Sequence, residues 1–172
     1  MKNIIFSVLL GILSSPLTCV ASETTDKAII IDEILYSGLL VNPELNEEGV
    51  ISSLGKPIRS VTKQISNKHH DTNDELTYLY YSGIEILIYT TKGLEHNWSK
   101  VTKVIIYSKN DKLPHGLNIG ASKTSIIKIL GNPHQIHNNK WYYFASDGEP
   151  HLQLIIELKS EFVNKLSWSY MP

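Results

Sequence analysis

The sequence has few of the residues that mark a disulfide scaffold or a nucleic-acid-binding protein. Its 172 residues include one cysteine, which excludes a disulfide within the chain. Arg59 is the only arginine, and arginine is the side chain best suited to bidentate contacts with phosphates and bases. Because the formal net charge is also only −1, nucleic acid is not expected as a partner.

Long apolar segments are also missing beyond residue 21. A membrane-spanning helix takes about 20 apolar residues, so we expect no transmembrane segment in the mature chain. Charged residues make up 19% of the chain and hydrophobic residues 42%, a balance typical of a folded domain rather than a disordered one. At roughly 100–200 residues per domain, the length predicts one domain, or two small ones that share a core.

Residues 1–21 have the pattern of a cleaved export signal. Lys2 supplies the positive charge, Ile4–Leu13 is the apolar run, and Pro16 follows it. Small residues precede the expected cleavage site after Ala21. The pattern predicts a periplasmic protein, with secretion as an alternative.

Cys19 leaves a second export route open, in which it becomes the lipidated first residue of an envelope-anchored protein. Thr18 and Pro16 depart from the usual residues before a lipidated cysteine, which favours simple cleavage. Cleavage after Ala21 leaves a mature chain with no thiol, which must then be stabilised by its core alone.

A short capped helix followed by a firm stop occurs twice in the chain. Ser122 is the expected cap of the second copy, and Gly131 and Pro133 are expected to end it. Val50-Ile51-x-x-Leu54-Gly55-x-Pro57 matches Ile126-Ile127-x-x-Leu130-Gly131-x-Pro133. Two further segment pairs match in the same order: Tyr80-Tyr81 with Tyr142-Tyr143, and Val101–Ile106 with Val163–Trp168.

An internal repeat of this kind indicates duplicated structural units. We therefore predict an α+β protein of two tandem modules, each a short helix or helix pair packed on an antiparallel sheet of three to four strands. Module one spans residues 22–110 and module two spans 111–172. The predicted helices are Lys27–Leu40, Glu44–Leu54 and Lys123–Leu130. The predicted strands are Ile58–Ser66, Leu76–Tyr81, Ile84–Thr90, Val101–Tyr107, His134–His137, Trp141–Phe144, His151–Leu158 and Val163–Tyr170.

Apolar and polar residues should alternate in a sheet that is covered on one face only. Module two is predicted to follow this rule, but module one breaks it. If Ile84, Ile86 and Ile88 face the helix, an apolar and aromatic patch faces away from it. This patch consists of Leu87, Tyr89, Ile105 and Tyr107. Two explanations stand: the patch packs against the other module or the N-terminal helix, or it binds a partner protein.

Three features of the sequence carry a family resemblance. They are the helix start Gly-x-Ser-Lys-x-x-Ile at Gly120–Ile126, the helix end Leu-Gly-x-Pro, and the tandem order of the two copies. The chain resembles the SmpA/OmlA-type envelope lipoproteins and the β-lactamase inhibitor protein-like superfamily of helix-on-sheet modules. The resemblance covers about half of the mature chain and implies a non-catalytic role, with a partner protein on the open sheet face. The chain lacks the inhibitor family's cysteines, and no functional residue carries over.

Catalytic and metal-binding patterns are not found in the sequence. No His-Glu-x-x-His or cysteine cluster accompanies the seven histidines, and His134 and His137 are spaced to lie on opposite faces of a strand. No Gly-x-Ser-x-Gly elbow or glycine-rich phosphate loop occurs. The carboxylate pairs Asp74-Glu75 and Glu47-Glu48 are expected to be solvated. We predict no enzyme activity, no metal and no cofactor.

These patterns favour an exported protein that binds another protein, as a periplasmic inhibitor or an immunity protein against a toxin. The alternative is an envelope-assembly accessory protein, anchored through Cys19 if lipidated. A hydrolase or a small-molecule binder with its site between the modules is a third, less favoured interpretation.

Overall fold

The computed structural model describes residues 20–67, 72–92, 98–110, 112–147 and 151–170. Three helices, a 3-10 turn and eight strands are present among these residues. In chain order they are α1 (Val20–Ser37), α2 (Glu47–Leu54), β1 (Arg59–Ser66), β2 (Asn73–Tyr81), β3 (Ile84–Thr90), β4 (Ser99–Ile106), the 3-10 turn (Pro114–Gly116), α3 (Lys123–Leu130), β5 (Gln135–His137), β6 (Lys140–Phe144), β7 (Leu152–Lys159) and β8 (Phe162–Tyr170).

All eight strands form one antiparallel sheet, in the order β1-β2-β3-β4-β8-β7-β6-β5. The predicted α+β class is therefore confirmed. The strands form one continuous sheet rather than separate sheets of three to four strands. The two halves join because β4 pairs with β8, with Val104 opposite Trp168 and Ile105 opposite Ser167.

The helix α3 has the predicted bounds, and its ends show why. The Ser122 hydroxyl accepts a hydrogen bond from the Ser125 N–H at 3.1 Å, which caps the helix. Gly131 ends it with φ of 77°, and its N–H donates to the Ile127 carbonyl at 2.8 Å. Such a backbone conformation is open to glycine and costly for other residues.

The helix α2 is built in the same way but is shorter than predicted. Asn46 caps it by accepting the Gly49 N–H at 2.9 Å, and Gly55 ends it with φ of 84°. The predicted start at Glu44 is wrong, because the Asn42 side chain accepts the Glu44 N–H at 2.9 Å in a preceding turn.

The helix α1 starts and ends earlier than the predicted Lys27–Leu40. It is already helical at Val20, the first described residue, and no proline or glycine interrupts the chain between there and Gly38. Gly38, with φ of 80°, ends the helix three residues before the predicted end. No helix in the described part of the chain is long and apolar enough to cross a membrane. Residues 1–19, including Cys19, lie outside the described residues.

The hydrophobic core lies between the three helices and one face of the sheet, which we call the covered face. Its centre is Trp168 of β8, which is 1% exposed, and whose indole N–H donates to the Leu35 carbonyl of α1 at 2.8 Å. Each helix contributes fully buried side chains, and the sheet contributes alternate residues of its inner strands. The core includes Ile34, Leu35, Val50, Leu79, Ile86, Ile88, Val104, Ile106, Ile126, Leu130, Tyr143, Leu154, Ile156, Leu166 and Trp168.

The two Leu-Gly-x-Pro motifs lead into the sheet through the same hydrogen bond. Ile58, directly after Pro57, donates its N–H to the Tyr80 carbonyl at 2.8 Å. His134, directly after Pro133, donates its N–H to the Tyr142 carbonyl at 2.9 Å. Tyr80 and Tyr142 therefore occupy matching positions in the two halves of the sheet, in agreement with the sequence match.

Candidate binding surface on the open face of the sheet

The second face of the sheet has no helix over it in the described part of the chain. Strand register places its side chains in two rows that run across the inner strands. The first row is Tyr78, Leu87, Lys103, Ser169, Gln153 and Phe144. The second row is Tyr80, Glu85, Ile105, Ser167, Ile155 and Tyr142. We call this surface the open face.

A trough of about 520 Å³ lies at the centre of the open face. Ser169 of β8 is part of its lining, and Ser167 and Ser169 carry the smallest side chains of the two rows. Both are buried, at 5% and 8% exposure, although they point away from the helices. The trough is lined by Leu76, Leu87, Tyr89, Thr102, Lys103, Gln153, Ile155, Ser169 and Tyr170.

The structure brings the four candidate residues of module one to this surface. Leu87 and Tyr89 line the trough. Ile105 lies beside it, in a smaller depression shared with Lys103. Tyr107 follows the end of β4 and is 48% exposed. The pKa of Tyr107 is raised, first by partial burial and then by the nearby charge of Glu85. The influence of Glu85, a member of the second row, agrees with a position of Tyr107 near the end of that row.

Tyr89 is fixed in place by a buried carboxylate. Asp74 is 1% exposed and accepts hydrogen bonds from the Tyr89 hydroxyl, from Asn67 Nδ2 at 2.9 Å and from the Lys92 N–H at 3.1 Å. The hydrogen bond to Asp74, together with burial, raises the pKa of Tyr89 to about 12. The Tyr89 ring, whose edge-to-face neighbour is Trp98 at 6.0 Å, forms one end of the trough.

The prediction that Asp74 is solvated is therefore wrong. Asp74 lies in β2, which begins at Asn73, and its side chain is buried beside the backbone of Lys92, two residues after β3. A buried carboxylate needs several donors, and here Tyr89, Asn67 and the Lys92 backbone supply them.

An aromatic pair lies on one side of the trough. The Tyr78 and Tyr80 rings of β2 stack with centroids 6.4 Å apart. Cations of the edge strand β1 cover them, with Lys63 Nζ 5.2 Å from the Tyr78 centroid and the Arg59 guanidinium carbon 4.2 Å from the Tyr80 centroid. These contacts order two flat rings on the open face.

A second aromatic pair lies on the opposite side of the trough, in the other half of the sheet. The Tyr142 and Phe144 rings of β6 stack at 6.4 Å, and His134 stacks on Phe144 at 6.0 Å. Sequence reasoning missed this pair and also missed Ile155. The signal was there: Leu154, Ile155 and Ile156 are consecutive apolar residues in a strand, so one of them has to face away from the core.

Packing against the N-terminal helix does not explain the patch. The helix α1 contacts α3, β6 and β7, and its Leu35 carbonyl binds Trp168 on the covered face. The other module does not cover the patch either, because the two halves lie side by side in one sheet. Leu87, Tyr89 and Ile105 are half-buried by neighbours on their own face.

The described residues include no group of three or more His, Cys, Asp or Glu side chains placed to hold a metal ion. His134 instead accepts the Phe144 N–H through Nδ1 at 2.9 Å, and His115 lies 3.1 Å from a Glu33 carboxylate oxygen. His69 and His70 lie outside the described residues.

Comparison of the chain with protein-family models, with curated proteins and with solved structures found no match.

Proposed function

We propose that this chain is an exported, non-catalytic protein that binds another protein through the open face of its sheet. One observation carries the proposal: the face opposite the helices is apolar and aromatic at its centre and has no cover among the described residues. Leu87, Tyr89 and Ile155 line its trough, and the ring pairs of β2 and β6 flank it. Exposed apolar patches of this kind mark interaction sites, and tyrosine is enriched at protein interfaces.

A duplicated module accounts for the breadth of the surface. In this interpretation, α2 with β1–β4 and α3 with β5–β8 descend from one unit, and the two copies pair through β4 and β8. The matching hydrogen bonds after Pro57 and Pro133, and the glycine stops at Gly55 and Gly131, support it. Pairing two copies edge to edge extends the open face across both, which a single copy does not achieve.

The predicted export signal places this activity in the periplasm. There, a protein-binding surface without catalytic groups suits an inhibitor or an immunity protein that occludes its target. The resemblance to the helix-on-sheet modules of the inhibitor superfamily points the same way.

The test begins with capture of a partner from periplasmic extract and continues with the purified pair. Titration calorimetry with the wild-type chain should give saturable binding at one partner per chain. Leu87→Glu and Tyr107→Glu should each abolish binding, because each replaces an apolar or aromatic contact with a carboxylate that the partner would have to desolvate. Circular dichroism should show both variants folded.

Ile29→Glu is the matched control, since Ile29 is an apolar residue of α1 with 59% exposure. It introduces the same charge away from the open face and should bind normally. Normal binding by both open-face variants would place the interface elsewhere on the chain.

The second candidate function is an envelope-assembly accessory protein, and the observation that favours it is Cys19, which follows the apolar run Ile4–Leu13 near the expected cleavage site. Fractionation of cells that express the wild-type chain or Cys19→Ala separates the two functions. A lipid-anchored accessory protein should move from the membrane to the soluble fraction on substitution, and a cleaved periplasmic protein should be soluble in both cases.

A further inference from the structure

The open face is more positive than the chain as a whole. Strand register places more cations than acids on it, whereas the complete chain has a formal net charge of −1. The cations include Arg59, Lys63, Lys100, Lys103, Lys140 and Lys165, and the acids include the buried Asp74, Glu85 and Glu157. Lys165 pairs with Glu157 at 2.5 Å, which leaves an excess of positive charge on the side of β1 to β4.

Lys103 is the cation at the trough itself. It lies between Leu87 of β3 and Ser169 of β8 in the first row, and its side chain forms part of the trough wall. Within the described ranges, Lys103 makes no ion pair. Thr102, Gln153 and Ser169 add hydrogen-bonding groups to an otherwise apolar lining.

We infer that the partner inserts an apolar side chain into this trough and places an adjacent carboxylate on Lys103. The inference rests on the proposed function and adds the chemistry of the partner, which is an acidic loop with an apolar tip. The trough, at about 520 Å³, has room for such a side chain. A carboxylate that pairs with the half-buried Lys103 is screened less than one that pairs with a fully exposed lysine.

The width of the surface favours a protein loop over an acyl chain. The stacked rings of β2 and β6 are separated by five strand spacings, or about 24 Å. A loop can fill the trough and contact both ring pairs at once, whereas one alkyl chain leaves the rings uncovered. The Tyr78 and Phe144 rings lie in the same row as Lys103, so a single loop can reach them all.

The test uses a small probe that carries only the inferred chemistry. N-acetylphenylalanine has one aromatic side chain and one carboxylate, and its methylamide is the matched neutral compound. Each is titrated into the ¹⁵N-labelled chain and followed by NMR. We expect saturable shifts at the amides of Leu87, Gln153 and Ile155. Binding of the neutral compound should be about fivefold weaker, as expected for the loss of one charge-assisted hydrogen bond at a partly exposed site.

Two lysine variants locate the charge that the probe detects. Lys103→Met keeps an unbranched stem of similar volume but removes the ammonium, so this variant should bind N-acetylphenylalanine as weakly as the wild-type chain binds the methylamide. Lys128→Met is the control, because Lys128 is exposed on α3, away from the open face, and this variant should bind the probe normally.

Three results would overturn the inference: equal binding of the charged and neutral probes, absence of shifts at the trough, or decanoate binding there at least tenfold more tightly than the aromatic probe. The last result would make an acyl chain the occupant. The proposed function is judged separately by the captured partner: if Leu87→Glu abolishes partner binding while the probe does not bind, the open face is an interface and only the inferred partner chemistry is wrong.

Discussion

The two faces of the sheet share the same strands and differ in what lies over them. On the covered face, Trp168, Ile86 and Leu154 are at most 1% exposed beneath the helices. On the open face, Leu87 and Ile155 come from the same strands and remain half-buried. Burial beneath helices accounts for folding stability, whereas a half-buried apolar side chain has area left to bury against a partner. The comparison therefore assigns stability to one face and binding to the other.

The largest effect on stability should come from the centre of the covered face. Trp168→Ala removes a buried indole and leaves the Leu35 carbonyl without its hydrogen bond. We expect a loss of about 3–5 kcal/mol in the free energy of unfolding, measured by urea denaturation. A loss below about 1 kcal/mol would mean that the core can close over the vacated space. It would contradict the assignment of folding stability to the covered face.

A smaller effect is expected at the glycine stops of the helices that cover this face. Gly131 has φ of 77° and ψ of −167°, a region that only glycine occupies readily, so Gly131→Ala should cost about 1–3 kcal/mol. An added Cβ also meets Lys27 Cδ at 3.3 Å. At Gly55, no atom in the described part of the chain, apart from the adjoining residues, lies within 4 Å of an added Cβ, so the alanine variant should show the backbone strain alone. Equal denaturation midpoints for both variants and the wild type would contradict the proposed role of the stops.

The alkaline limit of stability should depend on a residue of the open face. The pKa of Tyr89 is raised to about 12, from an ordinary value near 10, by its hydrogen bond to Asp74. Because the folded-state pKa is the higher one, this contribution is complete below pH 10 and is lost as the pH rises towards 12. Tyr89→Phe should flatten this part of the curve of unfolding free energy against pH. An unchanged slope in the variant would show that the hydrogen bond is not formed.

The smallest effect on stability should come from shortening a side chain at the trough. Leu87→Ala removes apolar area that its neighbours bury only in part, so we expect a loss of about 1 kcal/mol or less. The matched core variant Leu154→Ala should lose about 2–5 kcal/mol. Similar losses for the two leucines in urea denaturation would mean that Leu87 belongs to the core, and a binding role for its face would lose support.

The sequence predicted local elements well because their signals are local. The helix α3 begins after Ser122 and ends before Gly131, as predicted. The alternation of Ile84, Ile86 and Ile88 predicts β3 with the bounds that are observed. The union of the halves into one sheet was not predictable in this way. It depends on the pairing of β4 with β8, which are far apart in the chain. No turn or helix cap in the sequence indicates that these two strands pair.

The candidate surface could be predicted in part. Leu87, Tyr89 and Ile105 stood out because they break the alternation. In the second half, Ile155 and the β6 rings do not stand out, because Leu152, Leu154, Ile156 and Leu158 alternate regularly along β7. The trough and the burial of Asp74 were beyond reach, because both depend on contacts between side chains that only the folded chain brings together.

Methyl cross-saturation NMR with the purified partner tests the central claim most directly. Leu87, Ile105 and Ile155 report on the open face, and Ile29, which is 59% exposed on α1, reports on the opposite side. We predict strong saturation transfer to the methyl groups of Leu87, Ile105 and Ile155, with none to Ile29. Transfer to Ile29 with the open-face methyl groups unaffected would contradict the assignment of binding to this face.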